Sequence, residues 1–354
     1  MSISTFQIGA RTISSAQSAF LIAEVAQSHD GSLGQAHAFI NAAADAGADA
    51  IKFQTHIASA ESTIEEPFRV RLSGNQDDTR YDYWRRMEFT KDQWNSLAQH
   101  AASRDIIFLS TPFSLEAVTL LNDLQMPAWK IGSGEVNNWQ LLDACAATGK
   151  PVLLSSGMSG WAEIDAAVDR LRQAEVPVGV LQCSSRYPTP FEQVGLNVLD
   201  DMRQRYGLPV GLSDHSGTVF PALAAMAGNA QIIELHVTFH RKMFGPDVPA
   251  SVTFEELAFI VEARSAFDIM ARNPVAKDDN AEQLADLRAL FNKSVALRNP
   301  LPAGSRLTLA DLTAKKPGHG IPAAQLAELA GLRLAKDVSA DRVLLWDDIE
   351  GSSE

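Results

Sequence analysis

Short apolar runs recur along this chain at intervals that leave room for helical segments between them, and that alternation limits the fold more than any motif does. The runs fall at residues 20–25, 50–53, 106–109, 128–131, 152–154, 178–182, 209–212 and 232–235, separated by Ala- and Leu-rich helical segments. Strands that alternate with helices build parallel βα units, because a parallel neighbour needs a crossover long enough to bring the chain back. Eight such units close a (β/α)8 TIM barrel, an α/β fold that fills roughly 250 residues as one domain. An open doubly wound sheet shares the alternation, but no Gly-rich dinucleotide fingerprint follows the first run. Residues 6–13, around Gly9-Ala10, read as a hairpin able to plug a barrel floor.

The chain has 354 residues, more than one barrel needs. After an amphipathic helix at 255–270 the texture changes: 273–280 is polar around Pro274, and 281–290 is helical again. From Phe291 onward short β-type pieces alternate with turn signals, Pro302-Ala303-Gly304 and Pro317-Gly318-His319-Gly320. The organisation expected is a barrel over 1–272, a connector over 273–290 and a small β-rich module over 291–354. One interval inside the barrel, from Thr55 to Lys91, is too long for a βα loop and carries Arg80-Tyr81-Asp82-Tyr83-Trp84-Arg85-Arg86. It reads as an insertion over the catalytic face or as a solvated surface excursion.

A net charge of −13 argues against nucleic acid and anionic membranes as partners. It permits an anionic substrate, since a few lysines in a cleft can dominate the local field. No apolar run approaches the ~18 residues of a membrane span. The first twenty residues lack a signal-peptide pattern, and Cys145 and Cys183 lie inside helical and strand patterns. These features point to a cytoplasmic protein with reduced thiols.

In a barrel the C-terminal strand ends carry the chemistry. Here they present Glu24; Lys52 and Gln54; Ser110 and Thr111; Lys130, Ser133 and Glu135; Ser155; Ser184, Ser185 and Tyr187; Ser213 and His215; and His236. Two lysines ringed by hydroxyls suit a phosphate or carboxylate, which needs positive charge and several short donors. His215 and His236 follow two consecutive strands, so their imidazoles can converge as a divalent-metal site with open positions. Asp214, Glu234 and Asp247 lie close by in sequence as groups to orient a ligand or move a proton. Two other readings compete: each histidine as a satisfied structural residue, and a lysine that forms a Schiff base with a keto acid.

These residues also carry a resemblance. Ala23-Glu24, Ser28-His29-Asp30-Gly31 and Ala46 to Gln54 are similar to the opening of the sialic acid synthase family. Ser110-Thr-Pro-Phe113, Lys130-Ile-Gly-Ser-Gly-Glu135, Ser155-Ser-Gly-Met158, Tyr187-Pro-Thr-Pro190, Ser213-Asp-His215, Glu234-Leu-His236 and Gly245-Pro-Asp247 follow in the family's order. The tail, with Lys315-Lys316-Pro317-Gly318, resembles the family's antifreeze-like (SAF) module. The resemblance implies condensation of phosphoenolpyruvate with an N-acylated hexosamine, giving a nine-carbon 2-keto acid sugar and phosphate.

Carried over by motif, His215 and His236 would hold a divalent metal, usually manganese. Lys52, Thr111, Lys130, Ser133, Ser155, Ser185 and Ser213 would hold phosphoenolpyruvate. Glu24 would assist proton transfer or activate water, and Gln54, Glu135, Tyr187 and Asp247 would contact the sugar. The resemblance further implies a homodimer in which each tail brings Lys316 to the partner's site. Three positions depart from the family pattern: Asn-His-Asn-Gly is common at 28–31, Asn at Ser185 and Arg at Lys316. Lysine lacks the planar fork of arginine, so the last exchange is not conservative. A Schiff-base aldolase and a binding homologue without turnover are the alternatives from other classes.

Overall fold

The computed structural model describes residues 4–70 and 77–351. Eight strands take the places expected: β3 Phe20–Ala26, β4 Ala50–Thr55, β5 Ile107–Pro112, β6 Trp129–Ile131, β7 Val152–Ser155, β8 Val178–Cys183, β9 Val210–Asp214 and β10 Ile232–Thr238. All run parallel in the order β5-β4-β3-β10-β9-β8-β7-β6, and the end strands β5 and β6 lie against each other, closing the barrel. A short strand β11 (Val252–Thr253) adds to the end of β10. Nearly every barrel-strand residue is buried, because one face packs into the barrel and the other lies under helices. That double burial is why the strands read as continuous apolar runs rather than as alternating ones.

The crossover helices begin at side-chain caps. Ser32 accepts from the Gln35 amide ahead of the helix Leu33–Asp45, and Ser114 accepts from the Ala117 amide ahead of Leu115–Asp123. Thr90 and Gln93 make a reciprocal capping box for Lys91–Ser103. The helix Phe254–Arg272 completes this unit, which clusters as Met1–Arg272. No helix among the described residues is long and apolar enough to cross a membrane.

The hairpin of β1 (Phe6–Ile8) and β2 (Arg11–Ile13) plugs the barrel floor. Phe6, Ile8 and Ile13 are buried, and the Phe6 ring would lie 3.4 Å from a Cβ placed on Gly179 at the start of β8. With its floor filled, the barrel opens at the strand C-termini.

The second unit, Asn273–Glu354, has its own core of Val295, Leu297, Leu307, Leu312, Leu334 and Leu344. Its sheet pairs β12 (Ser294–Leu297) with β13 (Leu312–Lys315) antiparallel, in register from Ser294↔Lys315 to Leu297↔Leu312. Fully buried Asp348 pins the tail, receiving Arg342 at 2.6 and 2.9 Å and Lys336 at 3.1 Å. The 273–290 stretch is largely helical, Lys277–Gln283 followed by Ala285–Phe291.

Gly211 of β9 supplies a test of the barrel packing. A Cβ there would fall on the Ile232 carbonyl oxygen and 2.7 Å from Ile232 Cβ, both on the neighbouring strand β10. Gly211→Ala is expected to cost about 3 kcal/mol and lower the melting midpoint by roughly 6–12 °C. A midpoint within a degree of wild type would contradict this packing.

Candidate active site

Parallel register sets the site. It places His236 beside Glu24 and Glu24 beside Lys52, three side chains abreast on β10, β3 and β4. Residues two apart share a strand face, so Lys52 is followed toward the mouth by Gln54, and Glu234 by His236. The mouth thereby receives two layers of functional groups.

The inner layer is a buried cluster of four charges. Lys52 Nζ stands 2.7 Å from Glu24 Oε2 and 3.8 Å from Glu234 Oε2, and Lys130 Nζ stands 3.4 Å from Glu234 Oε1. Hydroxyls complete it: Lys52 donates to Thr111 Oγ1 (3.0 Å), Lys130 to Ser155 Oγ (2.7 Å), and Ser213 to Glu234 Oε1 (3.1 Å). All are at most 5% exposed, a burial that unpaired charges do not survive. The two carboxylates respond differently. Burial pushes Glu24 above its usual range against the pull of Lys52, whereas Lys130 and Lys52 overcome the burial of Glu234 and hold it below. Lys52 is pushed up despite its burial, because Glu234 and Glu24 face it. Glu24 is therefore the member of the cluster poised to exchange a proton.

Above the charges lies a cavity of about 260 Å³ lined by Lys52, Thr111, Lys130, Ser133, Ser185, Ser213, Glu24 and both histidines. Ser155 sits behind it on the Lys130 ammonium. Gly157 leaves the cavity its depth: a Cβ there would fall on Ser185 Oγ and 2.5 Å from Ser133 Oγ. Its N–H donates to Ser133 Oγ at 3.1 Å.

The two imidazoles do converge, with ring centroids 5.1 Å apart. His215 Nδ1 lies 2.8 Å from the Ser184 carbonyl, which can only accept, so Nδ1 carries the hydrogen and Nε2 keeps its lone pair. Tyr187 stacks on His215 at 4.1 Å, its hydroxyl 3.0 Å from that Nε2. Burial holds His236 neutral, far below its usual range, and its Nδ1 is buried without a partner. The orphaned Nδ1 of His236 and the Nε2 of His215, which the Tyr187 hydroxyl faces, are nitrogen donors of the kind a divalent cation takes. Among the described residues no group of three or more His, Cys, Asp or Glu could hold a metal. Asp214 serves the backbone instead: it closes the turn after β9, accepting from the Ser216 amide and hydroxyl at 3.0 and 2.8 Å.

Of the 55–91 insertion, residues 71–76 lie outside the described residues, and the described parts on either side cover this face beside the outer layer. The helices Ala58–Glu61 and Arg80–Met87 bury Ala58, Tyr83, Trp84 and Met87 in a small core of their own. They wall a second cavity of about 340 Å³ with Gln54, Glu135, Tyr187, His236 and Asp247, all but His236 being the groups expected at the sugar. Arg69, unforeseen in the sequence, donates to Asp247 Oδ1 at 2.8 Å and lies 4.1 Å over the Tyr187 ring. Lys316 belongs to the second unit, where its ammonium is 4.9 Å over the Phe291 ring.

The Ser28-His29-Asp30-Gly31 motif anchors the insertion instead of meeting the cavities. Arg86 donates to the Asp30 carboxylate (2.6 Å) and to Asp77 through two nitrogens. Gly31 has φ +77°, and a Cβ there would fall on the Arg86 carbonyl oxygen. Buried His29, pushed down to about 3 by desolvation, accepts from the Gly31 N–H at 3.1 Å.

The charge cluster predicts a pH signature. Glu234 titrates lower in the folded chain than its ordinary 4.5, so its stabilisation is complete above about 4.5 and is lost as pH falls toward 2. Glu234→Gln should cost about 3 kcal/mol or more at pH 7, read by denaturant unfolding, and the gap to wild type should narrow below pH 4.5. A gap independent of pH would show that the lysines do not hold Glu234 ionised.

Comparison with known proteins agrees with this geometry. Residues 39–274 match the NeuB family and residues 292–350 the SAF domain. The chain is 32% identical to the N,N'-diacetyllegionaminic acid synthase of Legionella pneumophila, across 97% of this chain and 98% of that protein. It is 29% identical to the mouse (Mus musculus) N-acetylneuraminate-9-phosphate synthase, across 95% and 94%. The crystal structure of an N-acetylneuraminic acid synthetase from Leptospira borgpetersenii superposes with a TM-score of 0.71 at 30% identity, covering 81% of this chain and 98% of that one. The match across residues 39–274, with the Legionella synthase 32% identical over nearly the whole chain, places this chain in the NeuB family, with an SAF domain following the barrel.

Proposed function

We propose that the chain is a phosphoenolpyruvate-dependent nonulosonic acid synthase, a transferase that condenses the donor with an acetamido hexose. The observation that carries this reading is the Lys52–Glu24–Glu234–Lys130 cluster set directly beneath two converging imidazoles. In the reaction, C3 of the enol bonds to the sugar's aldehyde carbon, and water adds to the cation left at C2. Phosphate then leaves that carbon, giving the 2-keto acid.

The two lysines and the hydroxyls of Thr111, Ser133, Ser185 and Ser213 hold the anionic donor in the inner cavity, while Ser155 holds Lys130 in place. Glu24 gives or takes the proton, supported by its place at the cavity beside Lys52 and by the burial that raises its titration. Gln54, Glu135, Tyr187 and Asp247 orient the acceptor in the outer cavity, supported by their position on its walls. A divalent metal, manganese in this reading, would be held by His215 and His236 and would supply Lewis-acid polarisation of the aldehyde. A Schiff-base route is disfavoured because Lys52 is held charged by two carboxylates, and a charged ammonium is not a nucleophile. The free, buried thiols Cys145 and Cys183 support a cytoplasmic location.

The test is phosphate release from phosphoenolpyruvate with a panel of mono- and di-acetamido hexoses. Release should depend on the sugar, stop with chelator and return with Mn2+. His236→Ala should lose at least ~100-fold in activity, the scale of a lost electrostatic stabiliser. A His236→Ala enzyme with full activity and metal content would sink the two-histidine site. Pyruvate trapped on a lysine by borohydride would favour the aldolase instead.

The reading also includes a homodimer in which each SAF module completes the partner's site with Lys316. A small module on a connector of this reach suits such mutual completion. Mixing a His236→Ala chain with one truncated after residue 288 should restore about a quarter of the sites, because only one site of each mixed dimer is whole. Mixed dimers without recovered activity rule out action in trans.

A further inference from the structure

One buried histidine has no role in the reaction as proposed. His56, the second residue after Gln54, is 5% exposed and lies between two aromatic faces. Trp84 of the insertion stacks on one side with centroids 3.7 Å apart, and Phe113 on the other at 4.6 Å. Its Nδ1 is 2.6 Å from Glu61 Oε1, so the insertion also fixes the ring's rotation. Its Nε2 is 3.2 Å from Gln54 Oε1.

Gln54 can point its amide two ways, and its neighbours select one. Its Nε2 donates to Glu24 Oε1 at 3.0 Å, which leaves its Oε1 facing Gln27 Nε2 and His56 Nε2. His56 Nδ1 faces the Glu61 carboxylate, which accepts, so Nδ1 carries the ring hydrogen and Nε2 keeps a lone pair; the Gln27 NH2 group donates both to that lone pair and to Gln54 Oε1. Two acceptors sharing one NH2 group lie close together, which accounts for the 3.2 Å between Gln54 Oε1 and His56 Nε2. Were the Gln54 amide flipped, its NH2 would meet the Gln27 NH2, a donor against a donor.

We propose that His56 is a positioning residue of the synthase: anchored by Glu61 and clamped by Trp84 and Phe113, it orients the Gln27 amide, which in turn keeps the Gln54 amide turned so that its NH2 group holds Glu24 Oε1. Glu24 then has one oxygen on Gln54 and the other on Lys52, and its orientation for proton transfer depends on a ring outside the inner cavity. This inference rests on the synthase reading and adds a residue to it.

Two substitutions separate bonding from filling. His56→Phe keeps the aromatic stack and loses both nitrogens; His56→Gln keeps an amide acceptor near the Nε2 position and loses the stack. Calorimetry with phosphoenolpyruvate alone first establishes that each variant still binds donor. His56→Phe is expected to lower kcat roughly 10- to 100-fold, the usual size of effects transmitted through an orienting hydrogen bond, with donor KM within about twofold. His56→Gln should recover most of that loss. Wild-type kcat in His56→Phe, equal losses in both variants, or lost donor binding in both would overturn the proposal and leave the ring as packing. If wild type itself releases no phosphate with any sugar, the synthase reading fails and this inference falls with it.

Discussion

Everything at the barrel mouth depends on keeping four charges out of water. Taking an ion from water into a protein interior costs several kcal/mol even after relaxation, so Lys52, Lys130, Glu24 and Glu234 are tolerable only as a mutually paired set. The pairing spans four strands, β3, β4, β6 and β10, and holds only if the barrel closes with those strand ends level. An exposed pair such as Lys91–Asp123, 2.6 Å apart, contributes on the order of 0–1 kcal/mol and organises nothing. The cluster forms without substrate, so a charged donor enters a field already laid out.

Around this core the site divides by depth. The inner cavity is polar and drawn from nearly every strand end; the outer one is walled by aromatic rings and acid–guanidinium pairs. Gln54, Arg69, Phe113, Tyr187 and His236 border both, and it is at this shared boundary that two substrates would meet. Tyr187 touches both imidazoles, which makes it the seam between the chambers.

The barrel was legible because each strand announces itself as an apolar run, and parallel strands deliver their ends to one rim without further information. Lys52, Lys130, His215 and His236 followed from that rule alone. Arg69 did not, since its partner Asp247 lies 178 residues away and nothing local marks either as half of a pair. His56 was hidden for a similar reason: its meaning comes from Trp84 and Phe113, which only the folded insertion brings to its two faces. Asp214 shows the opposite failure. Beside His215 it looked like part of the chemistry, but a short acidic side chain before a serine satisfies the local backbone first. The Ser28–Gly31 motif was visible, yet its service to Arg86 was not.

The insertion carries a consequence for how such enzymes diversify. The inner cavity is assembled from scattered strand ends, and a change at any one of them disturbs a shared electrostatic balance. Much of the outer wall, in contrast, comes from one contiguous stretch between residues 55 and 91 with a small core of its own. Replacing that stretch can alter the outer chamber while the cluster beneath keeps its partners. One half of the pocket is thus held fixed by its chemistry, and the other is free to drift in sequence and length, so new acceptor preferences could arise in a lineage without reinventing the reaction.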